Sequence, residues 1–304
     1  MLGMNNDSLS WNEFFKHSIS NQPINKIKPF NRLIAHSNNF FLIAGYGSFT
    51  EGYILLITKE MIPSFGLIDA KNLDELNFLI KIIKIYFKEK YNKNSVLFEH
   101  GMCACVGGLD RAHMHIMSLN NNTSKISLTN SINKVLFKRK IGIEYIKFGK
   151  YKLENVHDIN QFMDDKSISD KQDYEVKGNV LDLRDLKNLD FNKWPIITLN
   201  HIKKGGHYVY FKSDYSKCSF LTTLNFQTQF GREVVYENEI ALSEKFKSQI
   251  DKISNENPLL EVWKWQNVMF EDNIIQTVNT ARYNLKKYVS KFLSEYKEFN
   301  IRVL

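Results

Sequence analysis

Apolar residues recur along this chain in two rhythms. From Leu73 to Tyr91 they return every third or fourth position: Leu73, Leu76, Leu79, Ile80, Ile83 and Phe87 fall on one face. That spacing predicts an amphipathic helix. Asn72 ahead of it, with Glu75 three residues on, has the form of a capping box. A second stripe (Ile274, Ile275, Val278, Ala281, Leu285, Tyr288, Val289 and Phe292) predicts a long helix over residues 272–296. Residues 226–240 predict another, with Gln229 and Arg232 on one side. Elsewhere the apolar runs are short and bounded by turn residues. Residues 40–44, 53–58, 96–99 and 112–119 read as strands, and the first two are close enough to form a hairpin. Further strands are predicted over 143–148, 194–199 and 207–211, the last two joined by the turn Lys203-Lys204-Gly205-Gly206. A short helix is expected before residue 28, and the acidic stretch 155–174 reads as solvated surface. Strand, strand, helix, strand, strand is an α+β order with a largely antiparallel sheet and flanking helices. The expected division is a core over 1–125, a mixed extension with additional strands over 126–215, and a mostly helical C-terminal region over 216–304.

Composition narrows the picture modestly. The 304 residues are 43% hydrophobic, enough for a sizeable core. A formal net charge of +8 favours anionic ligands such as nucleotides or phosphates. No apolar run approaches the length of a membrane span. The three cysteines, Cys103, Cys105 and Cys218, are too few and too odd in number for a disulfide scaffold. With no signal-peptide pattern at the N-terminus, they point to a reducing, cytoplasmic setting.

The chemistry concentrates between residues 96 and 119. The run Val96-Leu97-Phe98 ends in Glu99-His100-Gly101, a loop with Gly107-Gly108 follows, and a strand carrying His113 and His115 completes the stretch. Side chains two apart on a strand share a face. His113, His115 and Met117 therefore lie on one side, and Ala112, Met114 and Ile116 on the apolar other side. Two imidazoles beside a glycine loop suit phosphate chemistry: one ring attacks while backbone amides hold the anion. A zinc reading of His100, Cys103, Cys105, His113 and His115 is less favoured. The Cys-x-Cys spacing is tighter than finger spacing and no second cysteine pair follows. Neither a metal nor a cofactor is expected.

The ordered pieces around this stretch resemble the histidine triad (HIT) superfamily of nucleotide hydrolases and transferases. They are Phe40-Phe41-Leu42-Ile43, then Glu51-Gly52-Tyr53 leading to Lys59, the helix over 73–91, and Phe98-Glu99-His100-Gly101. Gly107-Gly108-Leu109-Asp110-Arg111-Ala112-His113-Met114-His115 closes the set. The match is closest to larger bacterial members with a C-terminal extension, and it covers roughly a third of the chain. It implies a HIT-like fold. In the preferred register Asp110 and Ala112 keep their places, Arg111 replaces the first triad histidine, His113 is the nucleophile and His115 is the third histidine. The other register makes His113 first, His115 the nucleophile and Met117 third. Gly45 falls where many short members carry an acidic residue for the ribose hydroxyls.

The resemblance implies a covalent nucleotidyl-histidine formed at an α-phosphate, in a nucleotide hydrolase or nucleotidyltransferase. A dinucleoside polyphosphate hydrolase or phosphorylase is a variant. By the same likeness His113 and His115 are catalytic, and Gly107 and Gly108 contact phosphate. Arg111, where the chain departs from the family pattern, is a candidate to supply a cation to the phosphate or else points away. His100, Phe41 and Ile43 contact the nucleotide. His115 orients the phosphate, and protonates the leaving group if its pKa lies near working pH. Gln229 and Arg232 are further candidates to face the ligand. The expected partner is a nucleotide or nucleotidylated small molecule, with no membrane; nucleic acid is the less favoured partner, and a homodimer is one arrangement. A non-catalytic nucleotide- or nucleic-acid-binding relative is the alternative, motivated by Arg111.

Overall fold

A computed structural model gives an α+β architecture. It describes residues 32–48, 50–60, 62, 64–65, 68–101, 111–119, 131–132, 134–135, 138, 208–214, 216–222, 229–237, 243–268, 270–292 and 296–304. Those residues form eight strands: β1 (Leu33–His36), β2 (Phe40–Ala44), β3 (Ile54–Thr58), β4 (Ser95–Gly101), β5 (His113–Ser118), β6 (Tyr208–Ser213), β7 (Ser216–Thr222) and β8 (Arg302–Val303). The α-helices among them include α1 (Leu73–Tyr91), α2 (Phe230–Glu237), α3 (Glu244–Glu256) and α4 (Glu271–Phe292). The strands make one sheet in the order β7-β6-β4-β5-β3-β2-β1-β8. Every pairing in it is antiparallel.

Strands from all three sequence segments share this sheet. β6 pairs with β4 from Val96↔Ser213 to Gly101↔Tyr208, and β8 returns to β1 through Ala35↔Val303 and His36↔Arg302. Strand β7 opens the segment expected to be helical. β1 and β8 are too short, at 4 and 2 residues, to show a period of their own in the sequence. The expected hairpin is present as β2–β3, from Phe40↔Thr58 to Ala44↔Ile54.

Helix α1 keeps the predicted bounds and buries its whole predicted stripe. It also buries Phe78, Ile82 and Tyr86, because α4 packs along a second side of it. Phe78 stacks on Tyr296 at 4.0 Å and meets Phe292 edge-on at 6.3 Å. The capping box does not form. Asn72 has helical backbone angles (φ −91°, ψ −2°), continuous with the 3-10 turn Ala70–Asn72, and makes no side-chain cap. A capping side chain needs extended backbone at that position. Glu75 instead accepts from the Asn39 backbone N–H (2.9 Å) and its Nδ2 (2.6 Å), tying the helix to the β1–β2 turn. Helix α4 follows its stripe except at Ile275, which is 46% exposed. α2 is shorter than residues 226–240, and Gln229 precedes it with φ at +64°.

The expected elements over residues 1–28, 143–148, 155–174 and 194–199, and the turn at 203–206, lie outside the described residues. Among the described residues no helix is long and apolar enough to cross a membrane.

Candidate active site

Strand β5 lies between β3 and β4, and the register decides what faces its histidines. His115 is opposite Leu55 on β3 and Phe98 on β4; His113 is opposite Ile57. Directly opposed residues point to the same side of a sheet. His113, His115, Phe98 and His100 therefore share one face, and Phe41 and Ile43 join it through Ile57 and Leu55. Glu99 points to the other side, where its Oε1 accepts from the Phe65 backbone N–H at 2.7 Å. On that far side Phe40, Leu42, Leu56, Met114 and Ile116 are buried.

His113 is held by its own strand entry. Its Nδ1 lies 3.0 Å from the Arg111 carbonyl oxygen. A carbonyl only accepts, so Nδ1 carries the proton and Nε2 carries the lone pair. Burial pushes its pKa below the usual histidine value, so the ring is neutral at pH 7. Arg111 is buried and donates through Nη1 to the Lys59 carbonyl, which ties the start of β5 to the end of β3. The Thr58 N–H to Ala112 carbonyl bond (3.1 Å) reinforces that join.

His115 is held differently. Its ring lies parallel to Phe98 (centroids 4.3 Å apart, 9° between planes) and to Tyr53 (5.9 Å, 16°). The Tyr53 Oη is 2.5 Å from His115 Nδ1. Burial, then the neighbouring His113 and His100, holds the His115 pKa well below the ordinary value. The ring centroids of His113 and His115 are 5.0 Å apart. An imidazolium at His115 is therefore disfavoured at neutral pH, and the expected role of proton donor to a leaving group does not fit it.

His100 completes a group of three rings. Its Nε2 accepts from the Gly231 backbone N–H at 2.9 Å, in the first turn of α2. Burial, then His113, pushes its pKa down to about 3. The same turn packs so closely on the site that a Cβ at Gly231 would stand 2.3 Å from the Phe98 ring. Both members of the Gln-x-x-Arg pattern are bound within the protein, and Arg232 also hydrogen-bonds the Tyr53 side chain beside His115. Gln229 Oε1 accepts from the Trp265 N–H (2.8 Å), and its Nε2 donates to Gln266 Oε1 (2.8 Å). Arg232 is 2% exposed and donates to the carbonyls of Trp263 (2.7 Å), Tyr46 (3.2 Å) and Gly47 (2.5 Å). It locks α2 to the loop after β2 and to the segment before α4.

Of the sequence candidates, the fold thus gathers His100, His113 and His115, with Arg111 beside them. Phe41 and Ile43 lie on the same face but are only 4% and 1% exposed, and Lys59 Nζ stands 5.1 Å from the Phe41 ring centre. Both are core residues here, since each side of a central strand is covered. Gly107 and Gly108 lie outside the described residues. Among the described residues no group of three or more His, Cys, Asp or Glu side chains is arranged to hold a metal ion. Sequence reasoning missed Tyr53. The signal was its alternation with Leu55 and Ile57, which puts it on the histidine face.

No family model matches this chain, and the curated proteins contain no significant sequence match to it.

Proposed function

We propose that this protein is a nucleotide hydrolase or nucleotidyltransferase of HIT type, acting at an α-phosphate through a covalent nucleotidyl-histidine. The observation that carries this reading is the opposite wiring of the two β5 imidazoles. His113 bonds through Nδ1 to a carbonyl and keeps a neutral lone pair on Nε2. His115 has its Nδ1 engaged by a tyrosine hydroxyl. His113 is then the nucleophile, which favours the register with Arg111 in the first triad position.

In the first step the His113 Nε2 lone pair attacks phosphorus. The bond to the leaving oxygen breaks and its electron pair departs with the leaving group. The imidazole becomes positively charged, and the Nδ1–H bond to the Arg111 carbonyl strengthens as it does so. In the second step water or another acceptor attacks phosphorus, the P–N bond breaks, and its electrons return to Nε2. His115 hydrogen-bonds a non-bridging oxygen. By the resemblance, amides near Gly107 and Gly108 hold the other oxygens, where charge persists through the transition state. With His115 neutral, leaving groups stable as anions are favoured. Phosphoanhydrides, including dinucleoside polyphosphates, suit this better than phosphoramidates, whose amine must be protonated to leave.

The test is chemical trapping. The protein is incubated with α-labelled nucleoside triphosphate, dinucleoside tetraphosphate and nucleoside phosphoramidate, then quenched in base. An acid-labile labelled protein, lost in His113→Ala and retained in His115→Ala, is the expected result. Tight nucleotide binding without adduct or turnover overturns it in favour of a non-catalytic binder, a reading motivated by Arg111 replacing a histidine. Binding that requires a polynucleotide and falls steeply with salt points to a nucleic-acid partner.

A further inference from the structure

We propose that Tyr53 is a positioning residue: its hydroxyl donates to His115 Nδ1 and so holds the ring with Nε2–H directed at the phosphate bound at His113. The target of that donor rests on the function proposed above; the hydrogen bond itself does not.

The direction of the bond follows from what surrounds the phenol. Tyr53 Oη and His115 Nδ1 are 2.5 Å apart, so one proton lies between them. If the imidazole supplied it, the phenolic proton would need a second acceptor. Among the described residues the hydroxyl bonds no acceptor besides His115 Nδ1, and its other side-chain partner is Arg232, whose guanidinium carbon is 5.5 Å from the ring centre. A guanidinium has donors only. The phenolic proton therefore goes to Nδ1, and the imidazole proton sits on Nε2. Burial raises the Tyr53 pKa, against the opposing pull of Arg232, so the phenol keeps its proton over the working range.

The neighbours make this geometry rigid. Residue 45 is glycine, and a Cβ there would stand 2.2 Å from Tyr53 Cε1. The tyrosine ring fills the space that a side chain at position 45 would need. The Gly45 N–H also donates to the Tyr53 carbonyl at 3.0 Å. On its other side His115 lies flat on Phe98, which is itself pressed by Gly231. A ring flip at His115 would break the tyrosine bond within a stacked sandwich. Gly45, which the resemblance marked only as the place of a missing acid, thus has a positive reason to be glycine.

The tautomer of His115 is read directly by long-range 1H–15N NMR on the full chain with labelled histidine, assigned with His115→Gln. The expected wild-type signature is protonated Nε2 and bare Nδ1. In Tyr53→Phe, which keeps the ring, the His115 signals move toward a mixture of tautomers. With a turned-over nucleotide, kcat falls about tenfold or more, as when one oxyanion donor is weakened, while KM changes less than threefold. Protonated Nδ1 at His115 in the wild type overturns the proposal without any variant. So does a folded Tyr53→Phe protein with unchanged tautomer and kcat. If the tautomer behaves as expected but the wild type neither forms an adduct nor turns over nucleotide, the Tyr53 assignment to His115 stands and the proposed function falls.

Discussion

Each site imidazole owes its state to one partner: a carbonyl for His113, a phenol for His115, a backbone amide for His100. Their pH behaviour follows. All three pKa values are lowered, with burial as the largest cause. A group with a lowered cationic pKa takes up fewer protons folded than unfolded between the two values. Its contribution to stability is present above the unfolded value of 6.5 and is lost as pH falls toward the folded one, about 3 for His100. The thermal midpoint should therefore drop steadily on acidification from pH 6.5, with a shallower slope in His100→Gln, whose amide oxygen still accepts from Gly231. If attack by His113 limits the rate, the acid limb of kcat lies below pH 6.5, where a neutral exposed histidine would already be charging. Gly45→Ala forces Cβ against Tyr53. It should cost about 1–3 kcal/mol by overpacking and disturb the His115 NMR signals, which equilibrium denaturation and NMR together detect.

At the scale of elements, helix α2 does more for the site than its 8 residues suggest. Its first turn supplies the Gly231 amide to His100, and Arg232 joins it to two loops. Arg232→Ala leaves buried carbonyls without their donors. A loss of about 3 kcal/mol or more is expected, measured by urea unfolding, together with weakened nucleotide binding through displacement of α2. Gln229 and Arg232 were recognisable as a pair in the sequence. Their direction was not: Gln229 lies before the helix with φ at +64°, so the i, i+3 face assumed for a continuous helix does not exist there. The capping box failed for a similar reason, because Asn72 is already within a helical turn and Glu75 serves Asn39.

At the scale of the molecule, the sheet joins segments that the sequence separates. β6 covers β4 along its length, and β8 covers β1. Asp214, between β6 and β7, accepts from the Ser95 N–H (2.7 Å) and pairs with Lys84 (2.6 Å), pinning the added strands to the start of β4. A fragment of residues 1–125 would leave the β4 edge bare, with its N–H and C=O groups unpaired. It is expected to show no cooperative thermal transition by circular dichroism and to self-associate. A sharp transition at the wild-type temperature would show that the first segment folds alone.

The sequence by itself determined whatever depends on local period. The α1 bounds, the β2–β3 hairpin, the face shared by His113 and His115, and the α+β order all follow from spacings of two or of three and four residues. Only the tertiary structure decided the pairings across long separations, because register is set by which strand lies alongside and not by either strand alone. Those pairings bring His100 and Phe98 to the β5 histidines, put Tyr53 at hydrogen-bonding distance from His115, turn Arg232 into an internal lock, and bury Phe41 and Ile43. The tautomers of the imidazoles belong to the same class, since each is chosen by a donor or acceptor that folding delivers.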